Sequence, residues 1–140
     1  MPRATVAEPQ GIRKDIEVEI DELSRQVAVC ALEVHRTLGP GLMQSTYEHC
    51  LAHELAASGI PHKHQCPLPV PYKGSALECG YQVDFLVDGS LVVELKSVDN
   101  LLRVHDAQLL RYMKLAGISN GLLVNFNVPH LKDGLRRFVL

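Results

Sequence analysis

The sequence predicts a single α/β domain of the α+β kind, in which a mixed central β-sheet is flanked by helices in the order α-α-β-β-β-α-β. One supporting observation is that apolar residues recur at three- and four-residue steps before residue 60 and after residue 102. Another is a pair of β-type runs on either side of an Asp-Gly turn signal at 88–89. The third is size, because 140 residues with 46% hydrophobic side chains bury about two-thirds of the unfolded surface in one core.

Two amphipathic helices are predicted in the first half of the chain. Residues 1–14 show no periodicity and are expected to form a flexible arm, which leaves 15–140 as the domain. The first helix follows this arm from Ile16 and ends at the Gly-Pro-Gly stop signal at 39–41. The second helix spans about 44–58, with Gly59 just beyond its end. The apolar pattern of the first helix consists of Ile20, Leu23, Val27, Cys30, Val34 and Leu38, and the predicted inner face of the second consists of Tyr47, Leu51 and Leu55.

The central segment predicts most of the sheet. The stretch IPHKHQCPLPVPYKG at 60–74 contains four prolines, which restrict it to an edge strand or an extended connection. Two β runs follow at 80–87 and 91–97, joined by the turn signal.

A third helix and a last strand complete the predicted fold. The helix spans about 103–116 and is ended by Gly117. The apolar run GLLVNFN at 121–127 then reads as a buried strand.

The loop length between the two β runs decides where two acidic residues point. With a two-residue loop, Asp84 lies opposite Val93, and the acids face opposite sides of the sheet. With the three-residue loop 88–90, Val87 pairs with Leu91 and Asp84 lies opposite Glu94. The second register is favoured because it keeps one face wholly apolar. That face consists of Val83, Phe85, Val87, Leu91, Val93 and Leu95, and the other carries Gln82, Asp84, Glu94 and Lys96.

Two carboxylates placed opposite each other indicate a cation site. Their Cβ atoms would lie about 5 Å apart, so the charges repel unless a cation lies between them. Oxygen ligands of this kind suit Mg²⁺ or Mn²⁺, with the backbone carbonyl of Leu95 as a further candidate ligand. Lys96 would point into the same site. From spacing alone, a solvated sheet face with a cross-strand Lys–Glu pair remains the alternative.

A family resemblance adds to this reading. Asp84 followed after nine residues by Glu94-Leu95-Lys96 resembles the D…ExK core of the PD-(D/E)XK nuclease superfamily. The stretch GPGLMQSTYEHCLAHEL resembles the signature of the small bacterial GxxExxY proteins, and the likeness continues in order over 16–140. The resemblance implies a restriction-endonuclease-like core with an acid on the second helix, and metal-dependent hydrolysis of nucleic acid, DNA before RNA. It also implies Asp84 and Glu94 as Mg²⁺ or Mn²⁺ ligands and Lys96 as the catalytic lysine.

One residue departs from the signature, because Gln44 occupies the position of the central glutamate. Its side-chain oxygen can still contact a metal ion or its water, so Gln44 remains a candidate ligand without the charge that binds the ion tightly. The departure leaves two readings open: a nuclease, or a weakened or inactive module of the same fold that binds nucleic acid or protein.

On the third helix, Gln108 and Tyr112 lie one turn apart. Their spacing resembles the QxxxY element of RecB-like nucleases, which implies that Gln108 belongs to the catalytic site. The alternative is a half-buried polar helix face. His105, one turn earlier, is expected to be a helix-start residue rather than a ligand.

Charge and composition restrict the partners. The net charge of −2 gives no global positive field for nucleic acid or membranes, so any basic patch is local. No membrane span or signal peptide is evident, and a cytoplasmic protein without a membrane partner is expected. Oligomeric state is open, a homodimer included. A zinc site is a weaker alternative, because no CxxC or HExxH motif accompanies its candidate ligands. These are His49, His53, His62, His64 and Cys66.

Overall fold

The computed structural model describes residues 22–140, so the predicted arm and the start of the first predicted helix lie outside the described residues. Within this range there are three α-helices: α1 (Glu22–Leu38), α2 (Gln44–Ala57) and α3 (Arg103–Ala116). The strands are β1 (His62–Pro67), β2 (Val70–Tyr72), β3 (Ser75–Leu77), β4 (Gln82–Val87), β5 (Leu91–Lys96), β6 (Asn120–Asn125) and β7 (Leu135–Val139), and a 3-10 helix (Leu131–Gly134) precedes β7.

The main sheet is mixed, as predicted. Its five strands lie in the order β1-β4-β5-β6-β7. Only β5 and β6 are parallel, and α3 connects them, as a parallel pair requires a crossover. The other three neighbouring pairs are antiparallel. β2 and β3 form a separate two-stranded hairpin.

Two apolar clusters lie on opposite faces of this sheet. The first core cluster joins α1 and α2 to one face and includes Val27, Val34, Tyr47, Leu51, Leu55, Phe85, Val93, Leu95, Val124 and Phe126. The second core cluster joins α3 to the other face and consists of Leu68, Val83, Val92, Leu109, Tyr112, Met113, Leu123 and Phe138. The helices therefore form two layers around the sheet, and β4 and β5 are central to both.

The predicted element boundaries agree closely with the structure. Gly59 and Gly117 follow α2 and α3 in the left-handed conformation, with φ of 71° and 69°, which glycine adopts without strain. β1 is an edge strand, as its proline content predicted. Leu38, the last residue of the apolar pattern of the first helix, is 37% exposed at the end of α1. Among the helices of residues 22–140, none has the length and apolar character needed to cross a membrane.

Strand β4 changes face at Asp84, which the sequence did not predict. Val83 packs in the second core cluster, whereas Phe85 packs in the first. In a regular strand these two residues would point to the same face. The expected single apolar face of the hairpin is therefore wrong at Val83, and the irregularity falls at the acidic residue of interest.

Candidate functional site

The β4–β5 hairpin has the three-residue loop. Val87 pairs with Leu91, and the ladder continues only as far as Phe85 and Val93. Asp88 and Gly89 take left-handed conformations, with φ of 50° and 64°, and the Ser90 N–H donates to the Val87 carbonyl at 3.0 Å, which is the geometry of a type I′ turn. Ser90 is then the extra residue before the Val87–Leu91 pair. The predicted register is thus confirmed, and the next pair in the same register would be Asp84 with Glu94.

At that position the acidic side chains replace the backbone ladder. The Asp84 N–H donates to Glu94 Oε2 at 2.8 Å, and the Leu95 N–H donates to Asp84 Oδ2 at 2.8 Å. Both residues are buried, with exposures of 7% and 4%. The two carboxylates therefore lie side by side between the strands, each held by a backbone amide of the opposite strand.

Burial and neighbouring acidic charges oppose the ionisation of this pair. Burial raises the pKa of Asp84 to about 6, and the nearby Glu48 charge acts in the same direction. The hydrogen bond from the Leu95 N–H lowers this pKa but does not offset the effect of burial. Loss of solvent and then the Asp84 charge raise the pKa of Glu94 to about 8. Neighbouring acids that share one site behave in this way when no cation compensates them.

Lys96 contacts the third helix. Its Nζ donates to Gln108 Oε1 at 2.9 Å, and Gln108 Nε2 donates to the Tyr112 hydroxyl at 3.2 Å. Burial, followed by the Glu94 charge, raises the pKa of Tyr112. His105 instead accepts a bond from the Leu102 N–H at Nδ1, 2.9 Å away, and so closes the start of α3. The structure thus brings Gln108 to the predicted lysine and places His105 in a helix-capping role.

Glu48 on α2 is an acidic residue that our sequence reasoning missed. It is 8% exposed and accepts hydrogen bonds from Gln44 at 3.1 Å, His64 at 3.1 Å and Gln65 at 2.7 Å. Burial alone would raise the pKa of Glu48, but these donors outweigh it and hold the pKa below its usual value. A sequence signal existed, because Glu48 lies one helical turn after Gln44 and therefore on the same side of α2.

Gln65 on β1 is a second residue that was missed. Its Nε2 donates to Asp84 Oδ1 at 3.2 Å as well as to Glu48. Its backbone is left-handed, with φ of 55°, which is uncommon for a residue other than glycine, asparagine or aspartate. No residue-type preference signals this conformation, so the sequence could not have revealed it.

The signature loop before α2 is held by Tyr47. The Tyr47 hydroxyl donates to the Gly39 carbonyl at 2.6 Å and accepts from the Leu42 N–H at 3.1 Å. The ring stacks on Phe126 with centroids 4.4 Å apart. Ser97, just after β5, donates to the Leu42 carbonyl at 2.7 Å. The loop is thereby attached to the end of the strand that carries Glu94 and Lys96, which fixes where α2 presents Glu48.

Together these features define an α+β domain with a buried acid pair and a lysine at the point where a central hairpin opens. The model of the PD-(D/E)XK nuclease superfamily matches residues 21–138. The chain belongs to this superfamily, and its sheet and helices are consistent with the restriction-endonuclease-like fold. Comparisons with curated proteins and with solved structures returned no match.

Nucleases of this superfamily generally use divalent metal ions, and the acid pair has suitable chemistry. Mg²⁺ and Mn²⁺ need only one or two protein carboxylates, because waters and substrate phosphate complete the shell. Asp84 and Glu94 are two such carboxylates, and a cation beside them would offset the burial and the neighbouring acidic charge that raise their pKa values. Within residues 22–140, no three histidine, cysteine, aspartate or glutamate side chains form a group that could hold a metal alone. A pair of carboxylates is a donor set that suits a hydrated Mg²⁺ or Mn²⁺ ion.

Proposed function

We propose that this protein hydrolyses phosphodiester bonds of nucleic acid, with DNA as the substrate, in a reaction that depends on Mg²⁺ or Mn²⁺. The observation that carries the proposal is a pair of bonds between β4 and β5, from the Asp84 N–H to Glu94 and from the Leu95 N–H to Asp84, which holds two buried carboxylates together. Lys96 lies two residues further along the same strand and is bonded to Gln108. Two acids and a lysine in this arrangement suit phosphoryl chemistry better than they suit a solvated sheet face.

Asp84 and Glu94 would hold the ion. The backbone carbonyl of Leu95 and the side-chain oxygen of Gln44 are the further candidate ligands. Gln65 bonds both Glu48 and Asp84 and so holds the Glu48 carboxylate near Asp84. Glu48 would therefore add negative charge beside the ion. When bound, a divalent ion supplies a Lewis acid and lowers the pKa of a water molecule that can attack the phosphate.

Lys96 would act on charge that develops during the reaction. Its ammonium group is a mobile donor with three N–H bonds, and Gln108 accepts one of them. The remaining donors can stabilise negative charge on the attacking or phosphate oxygens. Gln108 is itself restrained by Tyr112, so we assign it the role of orienting the lysine.

The subfamily and the substrate are finer parts of the proposal. The segment from Gly41 to Tyr47 supports assignment to the GxxExxY proteins, because Tyr47 on α2 bonds the loop that precedes this helix. RNA is the alternative substrate. The net charge of −2 suggests weak and salt-sensitive binding to either nucleic acid.

A cleavage assay with matched variants tests this function. We expect nicking or degradation of DNA with Mg²⁺ or Mn²⁺, none with chelator, and loss in Asp84→Ala, Glu94→Ala and Lys96→Ala. Glu78→Ala and Lys114→Ala remove an exposed acid and an exposed base, and both should cleave like the parent. Cleavage that survives in Glu94→Ala, or that ignores chelator, would contradict the proposal.

A second candidate function is a binding module without catalysis. It is favoured by Gln44, which carries no charge and donates its amide to Glu48 instead of adding an anion. The same assay separates the two functions when DNA binding is measured in parallel. Retained binding without cleavage under any divalent ion would select the module.

A further inference from the structure

The pairing of β1 with β4 is interrupted at one position. His64 pairs with Phe85 and Cys66 pairs with Val83 in the same register, so Gln65 lies opposite Asp84 without a ladder pair. The interruption coincides with the left-handed backbone of Gln65. It also lies beside the position where the β4–β5 ladder stops. Asp84 thus lies between two neighbouring strands and pairs regularly with neither.

The Gln65 side chain occupies this gap between two acids. Its Nε2 lies 2.7 Å from Glu48 Oε1 and 3.2 Å from Asp84 Oδ1. The assignment of nitrogen to this position follows from the chemistry, because both neighbours are carboxylates and only the NH₂ group donates. An amide nitrogen carries two hydrogens, one for each acid. One side chain therefore connects α2 to the central strand.

A neutral donor suits a position beside a metal-binding carboxylate. A lysine or arginine there would also satisfy both acids, but its positive charge would repel an incoming cation. A glutamine fixes the orientation of Asp84 and Glu48 without cancelling their charge. Lys73 and Asp88 are also left-handed, but both lie in hairpin turns, whereas Gln65 takes this conformation inside strand β1. Such a conformation is retained where the surrounding contacts determine it.

We propose that Gln65 is a positioning residue that ties Glu48 to Asp84 and so presents the Asp84 carboxylate to the metal ion. The link to metal rests on the proposed function. The tie itself does not, because both hydrogen bonds belong to the metal-free structure. The two parts therefore have separate tests.

The tie is tested in chelator by a double-mutant cycle of unfolding equilibria. The variants are Gln65→Gly, which tolerates the left-handed backbone but lacks the amide, Glu48→Ala, and the double variant. We expect Gln65→Gly to increase the unfolding equilibrium constant in both backgrounds. The factor of increase should be about fivefold smaller in the Glu48→Ala protein than in the parent. Additive effects would show that no tie exists. Should Gln65→Gly fail to fold, Gln65→Asn replaces it in the cycle, because asparagine accepts this backbone but is one carbon shorter.

The positioning role is tested by Mn²⁺ titration calorimetry at a temperature where every variant is folded. We expect Gln65→Gly and Gln65→Asn to weaken Mn²⁺ binding by about 10- to 100-fold, as loss of a residue that orients a ligand commonly does. Lys73→Gly is the matched control, since Lys73 is also left-handed, with φ of 48°, in the exposed β2–β3 turn, and it should bind like the parent.

The outcomes separate the two proposals. If the parent binds Mn²⁺ and both Gln65 variants bind within about twofold of it, the positioning role is overturned while the metal site stands. If the parent binds no Mn²⁺, the metal part of the proposed function and the role of Gln65 toward the ion both fail. The unfolding cycle still decides whether Gln65 and Glu48 are coupled, as the tie requires.

Discussion

The two ends of the β4–β5 hairpin differ sharply although they lie only a few residues apart. At the turn end, Phe85, Val87, Leu91 and Val93 are apolar and buried, and the backbone ladder is complete. At the open end, Asp84 and Glu94 are as deeply buried, but their side chains have taken over the backbone bonds. The same pair of strands therefore serves as a core element at one end and holds two buried acidic side chains at the other.

This difference shows that the two ends should respond oppositely to mutation. Burial of apolar area stabilises the turn end, so truncation there costs stability. Burial of unpaired acids costs stability at the open end, so removing a charge should stabilise the metal-free protein. The following variants break or sharpen this contrast, and the largest expected effect comes first.

Truncation at the turn end should have the largest effect. Phe85 is fully buried in the first core cluster, and we expect Phe85→Ala to lower the free energy of unfolding by about 3 to 5 kcal/mol. Denaturant titration measures this directly. Val104→Ala is the control, because Val104 is 63% exposed and its change should stay within about 0.5 kcal/mol. A small loss in Phe85→Ala would show that the turn end is not a core element.

Neutralising the open end should change the pH dependence of stability. Burial and then the Asp84 charge raise the pKa of Glu94 from 4.5 to about 8. The folded state thus holds this proton more tightly than the unfolded state does. The stability that the protonated Glu94 contributes is therefore fully present below pH 4.5 and is lost as the pH rises to about 8. Asp84 acts in the same direction, with its pKa raised from 3.8 to about 6.

In chelator, we therefore expect the free energy of unfolding of Glu94→Gln to exceed that of the parent above pH 8 by an amount on the order of a few kcal/mol. The advantage should shrink as the pH falls toward 5. Thermal and denaturant unfolding across this range provides the measurement. Parallel curves for the two proteins would mean that Glu94 does not titrate in the folded state as described.

Loosening the loop that positions α2 should have a moderate effect. Tyr47→Phe keeps the stacked ring but removes the hydroxyl that bonds Gly39 and Leu42. We expect a loss of about 1 to 2 kcal/mol in unfolding free energy. Tyr72→Phe serves as the control, since Tyr72 is 57% exposed. Equal stabilities of Tyr47→Phe and the parent would argue that the hydroxyl does not hold the loop.

Adding an acid at residue 44 should have the smallest effect on stability. Gln44→Glu removes a donor to Glu48 and places two like charges one helical turn apart, which should cost about 1 kcal/mol without metal. Mn²⁺ should bind more tightly and restore the loss. Ser45→Glu adds the same charge at the neighbouring exposed position and controls for the helix dipole. Equal Mn²⁺ affinities of Gln44→Glu and the parent would place residue 44 outside the metal site.

The sequence was informative where periodicity was strong. It predicted α2, α3 and the hairpin register, because apolar spacing and turn residues determine these locally. It missed the β2–β3 hairpin, whose residues are mostly exposed and present no apolar face. It also missed β7, where Arg136 lies in the strand and bonds Asp106 of α3.

The site was predictable only in part. The common face of Asp84, Glu94 and Lys96 followed from hairpin register, whereas Gln108 was implied only by the resemblance to the QxxxY element of RecB-like nucleases. Glu48 and Gln65 did not, because their roles depend on contacts between segments distant in sequence. The face change at Asp84 was also hidden, since an alternating apolar pattern predicts a regular strand.

The most direct test of the central claim is a Mn²⁺ titration of the parent, Asp84→Asn and Glu94→Gln by calorimetry at pH 8. If the open end of the hairpin is a cation site, the parent binds Mn²⁺ saturably, and each substitution abolishes or greatly weakens binding while the protein remains folded. Binding that is equal in all three proteins, or absent from the parent, would contradict the account.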